Sequence, residues 1–255
     1  MRLALVVAHP DDDTYGASGS VALHADDPGF HLTLIHVTSG EQGEIADPSL
    51  ATPESLGAVR EAEDRASWAA LGFEPHHHEF LRYPDGGVAD VPLEELTAAI
   101  AAVLRPAHPD VVVTFGPEGI TGHPDHIATG AAATAAFHLL REEEPGFARL
   151  VHSALPESRI HWLSDRLVER GLDPIDSEAP FQPRGVPDTS VDITVDCGSV
   201  WRRKYAALKE HRTQGGASVF PEDLLVDILG IETYSIAWPP REPGAAMLTD
   251  VFEDL

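Results

Sequence analysis

The feature that most constrains the fold of this 255-residue chain is an alternation of short apolar runs with longer stretches of helical periodicity. This alternation is typical of a parallel sheet whose strands are joined by crossover helices. Strands are predicted at residues 3–8, 32–38, 79–83, 111–115, 150–154, 191–195 and 233–238. Helices are predicted at residues 16–25, 52–71, 92–104, 124–140 and 200–211. We therefore expect an α/β, Rossmann-like, doubly wound and mostly parallel sheet with helices on both faces.

The length of the chain suits one large α/β domain, so residues 1–255 are interpreted as a single domain. Residues 157–190 contain many prolines, glycines and aspartates. Such a composition predicts an irregular excursion, of the kind that can form a lid or a rim over a site.

The charge of the chain excludes several classes of partner. It has 17 basic and 42 acidic residues, a net charge of -25, which repels nucleic acid and anionic lipid surfaces. No apolar run is long enough for a membrane span, and the first run ends at His9-Pro10, so we interpret it as a strand. We expect a cytoplasmic protein that acts on a small molecule, without nucleic acid or membrane partners. A homo-oligomer remains open.

The cysteine content limits the type of metal site. Cys197 is the single cysteine of the chain, so it can form neither an internal disulfide nor a pair of thiolate ligands. Any bound metal must therefore use histidines and carboxylates.

Two clusters of ionisable residues follow predicted strands. His9-Pro10-Asp11-Asp12-Asp13 comes directly after the first strand, and His123-Pro124-Asp125-His126 follows the strand at 111–115 and a glycine-bearing loop. Ligands of doubly wound sheets bind at the carboxyl ends of the strands, and the first and fourth strands are commonly neighbours. We therefore expect the two clusters to meet in space.

The residue types in these clusters favour hydrolytic metal chemistry. His123 and His126 are three residues apart at a helix start, and His9 and Asp12 have the same spacing. Two imidazoles and one carboxylate leave coordination positions open, and they suit Zn²⁺ as well as Fe²⁺. A metal held in this way polarises a carbonyl and lowers the pKa of water to about 7. A neighbouring carboxylate can then accept a proton, and a histidine can protonate a leaving amine.

Both clusters, with their flanking residues, resemble the PIG-L (LmbE-like) family of zinc-dependent sugar de-N-acetylases. The resemblance covers about residues 1–140 well and the C-terminal helix more loosely. It also includes four further segments, at residues 38–43, 59–63, 83–87 and 206–214. The resemblance implies an LmbE-like fold and the removal of an acetyl or acyl group from an N-acetylglucosamine-type substrate.

The family pattern also implies roles for individual residues. It makes His9, Asp12 and His126 the metal ligands and Asp11 the general base. His123 would be the acid or electrophilic histidine, oriented by Asp125. Substrate-binding positions in the same pattern are Glu41, Arg60, Asp85 and His211, the last together with Gln214.

The chain departs from the family pattern at two positions. Asp13 stands where the family usually has glutamate, and the shorter carboxylate can still serve as an acceptor behind the ligands. Thr121 stands where some sugar deacetylases of the family carry a tyrosine that hydrogen-bonds the developing oxyanion. Loss of one such donor can lower the rate by about two to three orders of magnitude. Another residue must replace it, the metal and His123 must suffice, or the substrate must differ.

Three alternative functions stay open. An amidase acting on a thiol-sugar conjugate would use the same family site. Asp11-Asp12-Asp13 after an apolar strand partly matches the nucleophile loop of haloacid-dehalogenase-like phosphatases, although the chain has only two lysines, both in one late helix. A catalytically inactive sugar-binding module would explain Thr121. The run His76-His77-His78 is interpreted as a solvated strand entry rather than a metal site.

Overall fold

A computed structural model describes the protein over residues 1–216, 221–242 and 244–255. Its centre is a seven-stranded sheet with the strand order β3-β2-β1-β4-β5-β7-β6. The strands are β1 (Arg2–Val7), β2 (His31–His36), β3 (His77–Phe80), β4 (Val111–Phe115), β5 (Arg149–Ser153), β6 (Ile193–Asp196) and β7 (Ile231–Trp238). The first five are parallel, whereas β7 is antiparallel to both β5 and β6. The predicted doubly wound, mostly parallel sheet is confirmed.

The central strands are apolar because both faces of the sheet are covered. Every residue of β4 is buried, as are all residues of β1 and β2 after the first. Parallel strands covered on both sides need such continuous apolar runs, because neither face meets water. The sequence pattern could therefore be interpreted without ambiguity in this part of the chain.

Helices pack on both faces of the sheet. They are α1 (Asp12–Gly16), α2 (Ser18–His24), α3 (Leu56–Leu71), α4 (Leu93–Ala107), α5 (Gly119–Gly122), α6 (Pro124–Leu140), α7 (Glu157–Val168), α8 (Trp201–Leu208) and α9 (Leu225–Leu229). Val21 of α2, Trp68 of α3 and Ala207 of α8 belong to the core on one face. Ile100 of α4 and Phe137 of α6 belong to the core on the other. None of the described helices is both long and apolar enough to cross a membrane.

The prediction of an irregular excursion at residues 157–190 is wrong for the first part of this segment, which forms the helix α7 (Glu157–Val168). Ile160, Leu163 and Leu167 recur at helical spacing, and Ile160 is buried. The prolines and glycines of the segment lie beyond this helix, so its overall composition obscured the helical part. Residues 169–187 contain neither helix nor strand.

A buried ion pair joins α8 to β7. Lys204 Nζ lies 2.6 Å from Glu232 Oε1, and only 2% of either side chain is exposed. Glu232 also accepts hydrogen bonds from the backbone N–H groups of Gly19 and Ser20 at the start of α2. The pair therefore ties three elements together on one side of the sheet.

His152 of β5 should make stability depend on pH. Its Nε2 lies 3.2 Å from Thr134 Oγ1, and burial lowers its pKa to about 4. As the pH falls below the ordinary histidine value of about 6.5, the unfolded chain binds a proton that the folded protein does not. The stability due to neutral His152 is thus present above that pH and is lost as the pH falls toward 4.

Between pH 7.5 and 5 this loss should be about 2 kcal/mol. Urea denaturation at both pH values measures the free energy of unfolding. Between pH 7.5 and 5, His152→Gln should lose about 2 kcal/mol less of this free energy than wild type, because glutamine does not titrate. His77→Gln, a matched change on exposed β3, should behave as wild type. Equal pH dependence in wild type and His152→Gln would contradict the prediction.

Candidate active site

The carboxyl ends of β1 and β4 bring the two ionisable clusters together. These strands are hydrogen-bonded neighbours, so the loop after β1 faces the start of α6. Gly130 allows α6 to lie close to β4, since a Cβ atom there would be 2.5 Å from the Phe115 carbonyl oxygen. The ring of Phe115 in turn stacks on His126, with ring centroids 4.2 Å apart. The two ionisable clusters therefore lie close together in the structure, as the sequence predicted.

Three side chains present their donor atoms to one point. His9 Nδ1 lies 3.2 Å from His126 Nε2. Asp12 completes the triangle, with Oδ2 at 3.3 Å from His9 Nδ1 and Oδ1 at 3.2 Å from His126 Nε2. Ligands bound tetrahedrally to Zn²⁺ at about 2.0–2.1 Å are themselves separated by roughly 3.3 Å. Asp12 offers a different oxygen to each histidine, so its carboxylate faces both imidazole nitrogens at a spacing that fits a divalent metal.

The outer contacts of the two histidines leave these donor atoms free for a cation. His126 Nδ1 donates to the Gly119 carbonyl at 2.9 Å, so its Nε2 carries a lone pair. His9 Nε2 lies 3.1 Å from Asp85 Oδ1 and 3.5 Å from Asp125 Oδ2. Carboxylates behind a ligating histidine orient the ring and make it a better donor.

The charge balance of the site also favours a cation. Burial lowers the pKa of His9, but the carboxylates of Asp12, Asp125 and Asp85 outweigh it and hold the pKa well above its usual value. Burial likewise opposes ionisation of Asp12, yet His126 and His9 hold the pKa of its carboxyl well below the usual range. The surplus of carboxylates around two imidazoles therefore attracts positive charge, which a divalent metal can supply.

Asp11 lies beside the donor triangle without joining it. Its Oδ2 is 3.3 Å from Arg60 Nη2, and burial raises its pKa to about 6 although Arg60 opposes this effect. The φ angle of Asp11 is 116°, a strained value for a residue with a side chain. Arg60 is fixed in turn by its Nη1 and Nη2 atoms, which donate to the carbonyl oxygens of Gly40 and Pro10. The loop is thus held with the Asp11 carboxylate against Arg60 and near enough to His9 and Asp12 for their charges to act on it.

His123 is held by the backbone of Asp125. Its Nδ1 accepts a hydrogen bond from the Asp125 N–H at 3.1 Å, which leaves the proton of the neutral ring on Nε2. Burial and the neighbouring His9 and His126 lower the pKa of His123 below its usual value. His123 is therefore suited to donate a hydrogen bond from Nε2 as a neutral ring.

Asp125 contacts His123 through its backbone N–H, while its carboxylate contacts other groups. The carboxylate accepts hydrogen bonds from the N–H groups of Gly86 at 2.7 Å and Val88 at 3.1 Å, and it faces His9. Asp125, at the start of α6, therefore positions His123 through its N–H and faces His9 through its carboxylate.

Two of the predicted substrate-binding residues contact each other beside the site. Glu41 Oε1 accepts from the Asp85 N–H at 2.9 Å, and Asp85 Oδ2 accepts from the Gln42 N–H at 2.8 Å. These reciprocal bonds join the loops after β2 and β3. Together with Arg60, which contacts Asp11, they form a polar wall beside the donor triangle.

His211 does not belong to this wall, so its predicted role in substrate binding is not supported. Only 2% of the residue is exposed, and its Nε2 lies 3.1 Å from Thr14 Oγ1. Thr14 lies in α1 and also contacts Ser67 of α3. His211 therefore packs behind the catalytic loop, whereas Gln214 lies beside Gly43, where a Cβ atom would also meet Arg60.

A second cluster lies behind the first and was missed from the sequence. His78 Nε2 is 3.0 Å from Asp64 Oδ2 and 3.3 Å from His36 Nδ1, so only His76 and His77 form the exposed strand entry predicted for the run. Asp13 connects this cluster to the catalytic loop through His36, at 3.3 Å, and through the Trp68 indole N–H, at 2.6 Å. The alternation of side chains along β3 was the signal that could have singled out His78.

Tyr15 is a second residue that was missed. It follows the ligand loop in α1 and lines the same cavity as Asp12, Thr121 and His126. Burial, together with Asp11 and Asp12, raises its pKa, so its hydroxyl stays protonated and can donate a hydrogen bond at neutral pH. The sequence offered no signal for it beyond its position three residues after Asp12.

The segment after α7 contacts the site from outside. Phe181 lies against His123, with ring centroids 4.8 Å apart. Arg184 donates its N–H to the Ile120 carbonyl, and its side chain covers Gly122. Residues 169–187 therefore form a rim beside His123.

Comparisons with known proteins agree with this geometry. The family model PIG-L, GlcNAc-PI de-N-acetylase, matches residues 4–137. A 1D-myo-inositol 2-acetamido-2-deoxy-alpha-D-glucopyranoside deacetylase of Salinispora arenicola is 30% identical over 96% of this chain and 87% of its own length.

Two solved structures have the same fold. The conserved protein TT1542 from Thermus thermophilus is 25% identical, with a TM-score of 0.63 over 96% of this chain and 98% of that one. The N,N'-diacetylchitobiose deacetylase from Pyrococcus horikoshii is 22% identical, with a TM-score of 0.60 over 99% of this chain and 88% of that one. The family model covers more than half of the chain and the relative nearly all of it, so the protein belongs to the PIG-L family of de-N-acetylases.

Proposed function

We propose that the protein is a zinc-dependent hydrolase that removes the acyl group from the amide nitrogen of an N-acylated amino sugar of the N-acetylglucosamine type. The observation that carries the proposal is the donor triangle of His9, Asp12 and His126, with edges of 3.2–3.3 Å and with Asp11 beside it. Two imidazole nitrogens and a carboxylate at this spacing suit a catalytic zinc site with an open position. When bound, the metal would polarise the amide carbonyl and acidify the attacking water.

The residues around the triangle divide the proton transfers. Asp11 accepts a proton from water, and its pKa of about 6 is close enough to neutrality for it to return that proton to the leaving amine. His123 donates a hydrogen bond from Nε2 to the carbonyl oxygen. Because its Nδ1 already accepts from the Asp125 N–H, the electrophilic role is favoured over that of an acid.

The polar wall of Glu41, Arg60 and Asp85 is proposed to face the sugar hydroxyl groups. The curated relative from Salinispora arenicola is named for a 2-acetamido sugar, and its similarity supports this substrate class. We further propose that residues 1–255 act as one domain, since a single sheet carries the core on both of its faces.

Metal analysis with an amine-release assay tests the proposal. Purified protein should contain zinc and should release a free amine from N-acetylglucosamine compounds, and a chelator should abolish both properties. His126→Ala should lose most of its metal, because Nε2 is one of three donors. His138→Ala, the same change on α6 but away from the site, should retain metal and activity. A protein that binds no divalent metal, or hydrolyses amides equally well with chelator, would contradict the proposal, whereas iron in place of zinc would change only the metal.

A further inference from the structure

A deep cavity opens beside the proposed metal ligands and continues into the protein. Its volume is about 340 Å³, and Asp12 and His126 line one end. Val113 of β4 lines the sheet side, and Ile160 and Leu163 line it from α7. The remaining lining residues are mostly apolar side chains and include Trp162. The cavity is therefore an apolar pocket that begins at the catalytic centre.

This pocket is much larger than an acetyl group requires. An apolar cavity of about 150 Å³ already accommodates benzene, whereas an acetyl group places only one methyl group beyond its carbonyl carbon. Apolar walls also offer few hydrogen-bond partners to sugar hydroxyl groups, which would lose their bonds to water on entering. The size and chemistry of the pocket both fit a hydrocarbon chain.

The two sides of the catalytic centre differ in polarity. The pocket lining does not include Glu41, Arg60 or Asp85. Arg60 contacts Asp11, and Asp85 contacts Glu41 and His9. Thr121, which has a small side chain, also lines the pocket. An amide whose carbonyl lies at the ligands can place its sugar against the polar wall and its acyl tail in the pocket.

We infer that the pocket is an acyl subsite and that the substrates carry a linear aliphatic N-acyl chain of about six to ten carbons. The pocket has roughly twice the volume of a cavity that holds benzene, which gives room for a chain of this length. This inference rests on the proposed function. Water adds to the acyl carbon and the C–N bond breaks. Both protons of the water pass to the amine nitrogen, so the amino sugar leaves as an ammonium ion and the acyl chain as a carboxylate.

The first test compares glucosamine bearing N-acetyl, N-hexanoyl and N-octanoyl groups, with the released amine measured. The kcat/KM should rise by about fourfold for each added methylene until the pocket is full. Ile160→Trp fills the pocket, so the ratio of octanoyl to acetyl hydrolysis should fall at least tenfold. Val168→Trp is the matched control on the exposed side of α7 and should keep the wild-type ratio. Leu163→Trp gives a second filling variant should Ile160→Trp fail to fold.

The second test measures the binding of sodium octanoate by calorimetry and needs no turnover. Octanoate should bind wild type and Val168→Trp but not the filling variants. Such binding supports the acyl subsite even if the protein hydrolyses no amide. Absence of hydrolysis would contradict only the proposed function. Hydrolysis independent of chain length, or a failure of wild type to bind octanoate, overturns the acyl subsite while deacetylation stands.

Discussion

Replacing Asp11 by asparagine should lower kcat for amide hydrolysis by about two to four orders of magnitude while the metal stays bound. Asparagine has the shape of aspartate but cannot accept a proton from water. Asp11 is not one of the three donors of the triangle, and its Oδ2 is 3.3 Å from Arg60, so the substitution should not disturb metal binding. The measurement is kcat at saturating substrate, together with the metal content of each preparation.

Asp47→Asn, the same change at an exposed carboxylate, is the control and should leave kcat unchanged. Wild-type kcat in Asp11→Asn would show that another group accepts the proton. Loss of metal together with activity would instead place Asp11 among the ligands. Either result would contradict the assigned role.

Lys204→Met should lower the free energy of unfolding by about 3–5 kcal/mol, since removal of one partner leaves the other charge buried and uncompensated. Lys204 and Glu232 are in direct contact at 2.6 Å, and almost none of either side chain is exposed. Methionine retains the length of the lysine side chain, so lost packing contributes little. Urea denaturation at neutral pH measures the effect.

Arg105→Met breaks exposed ion pairs with Glu143 and Glu144 and should cost less than about 1 kcal/mol. The double change Lys204→Met with Glu232→Gln should recover part of the loss, because no uncompensated charge then remains buried. Similar losses for Lys204→Met and Arg105→Met would show that the buried pair contributes no more than a surface pair.

The sequence predicted the parallel part of the sheet because buried parallel strands require continuous apolar runs. It could not predict the antiparallel insertion of β7 between β5 and β6, since pairing partners depend on long-range packing. It also missed α7, because the prolines and glycines that follow this helix dominate the composition of residues 157–190. The predictions of fold, family and enzyme class are confirmed.

The sequence predicted those parts of the candidate site that depend only on which strands are neighbours. His9, Asp12 and His126 converge because β1 and β4 are adjacent. The outer contacts depend instead on backbone angles that residue order does not reveal, such as the positive φ of Asp11 and of Gly119, whose carbonyl binds His126. The sequence likewise did not reveal that Asp125 contacts His123 through its N–H while its carboxylate lies 3.5 Å from His9. The roles of all these residues remain predictions.

The adjacency of β1 and β4 also has a consequence for folding. His9 and His126 are separated by 117 positions along the chain, so a metal bound by both would act as a cross-link that closes a loop of that length. In the chain-entropy treatment of covalent cross-links, closing a loop of about 100 residues stabilises a protein by about 4.7 kcal/mol. A ribosome-bound chain shorter than this loop would have only His9 and Asp12 available, and two donors hold zinc weakly. Metal capture would therefore coincide with the pairing of β4 on β1, and the time course of metal uptake would report when the sheet closes.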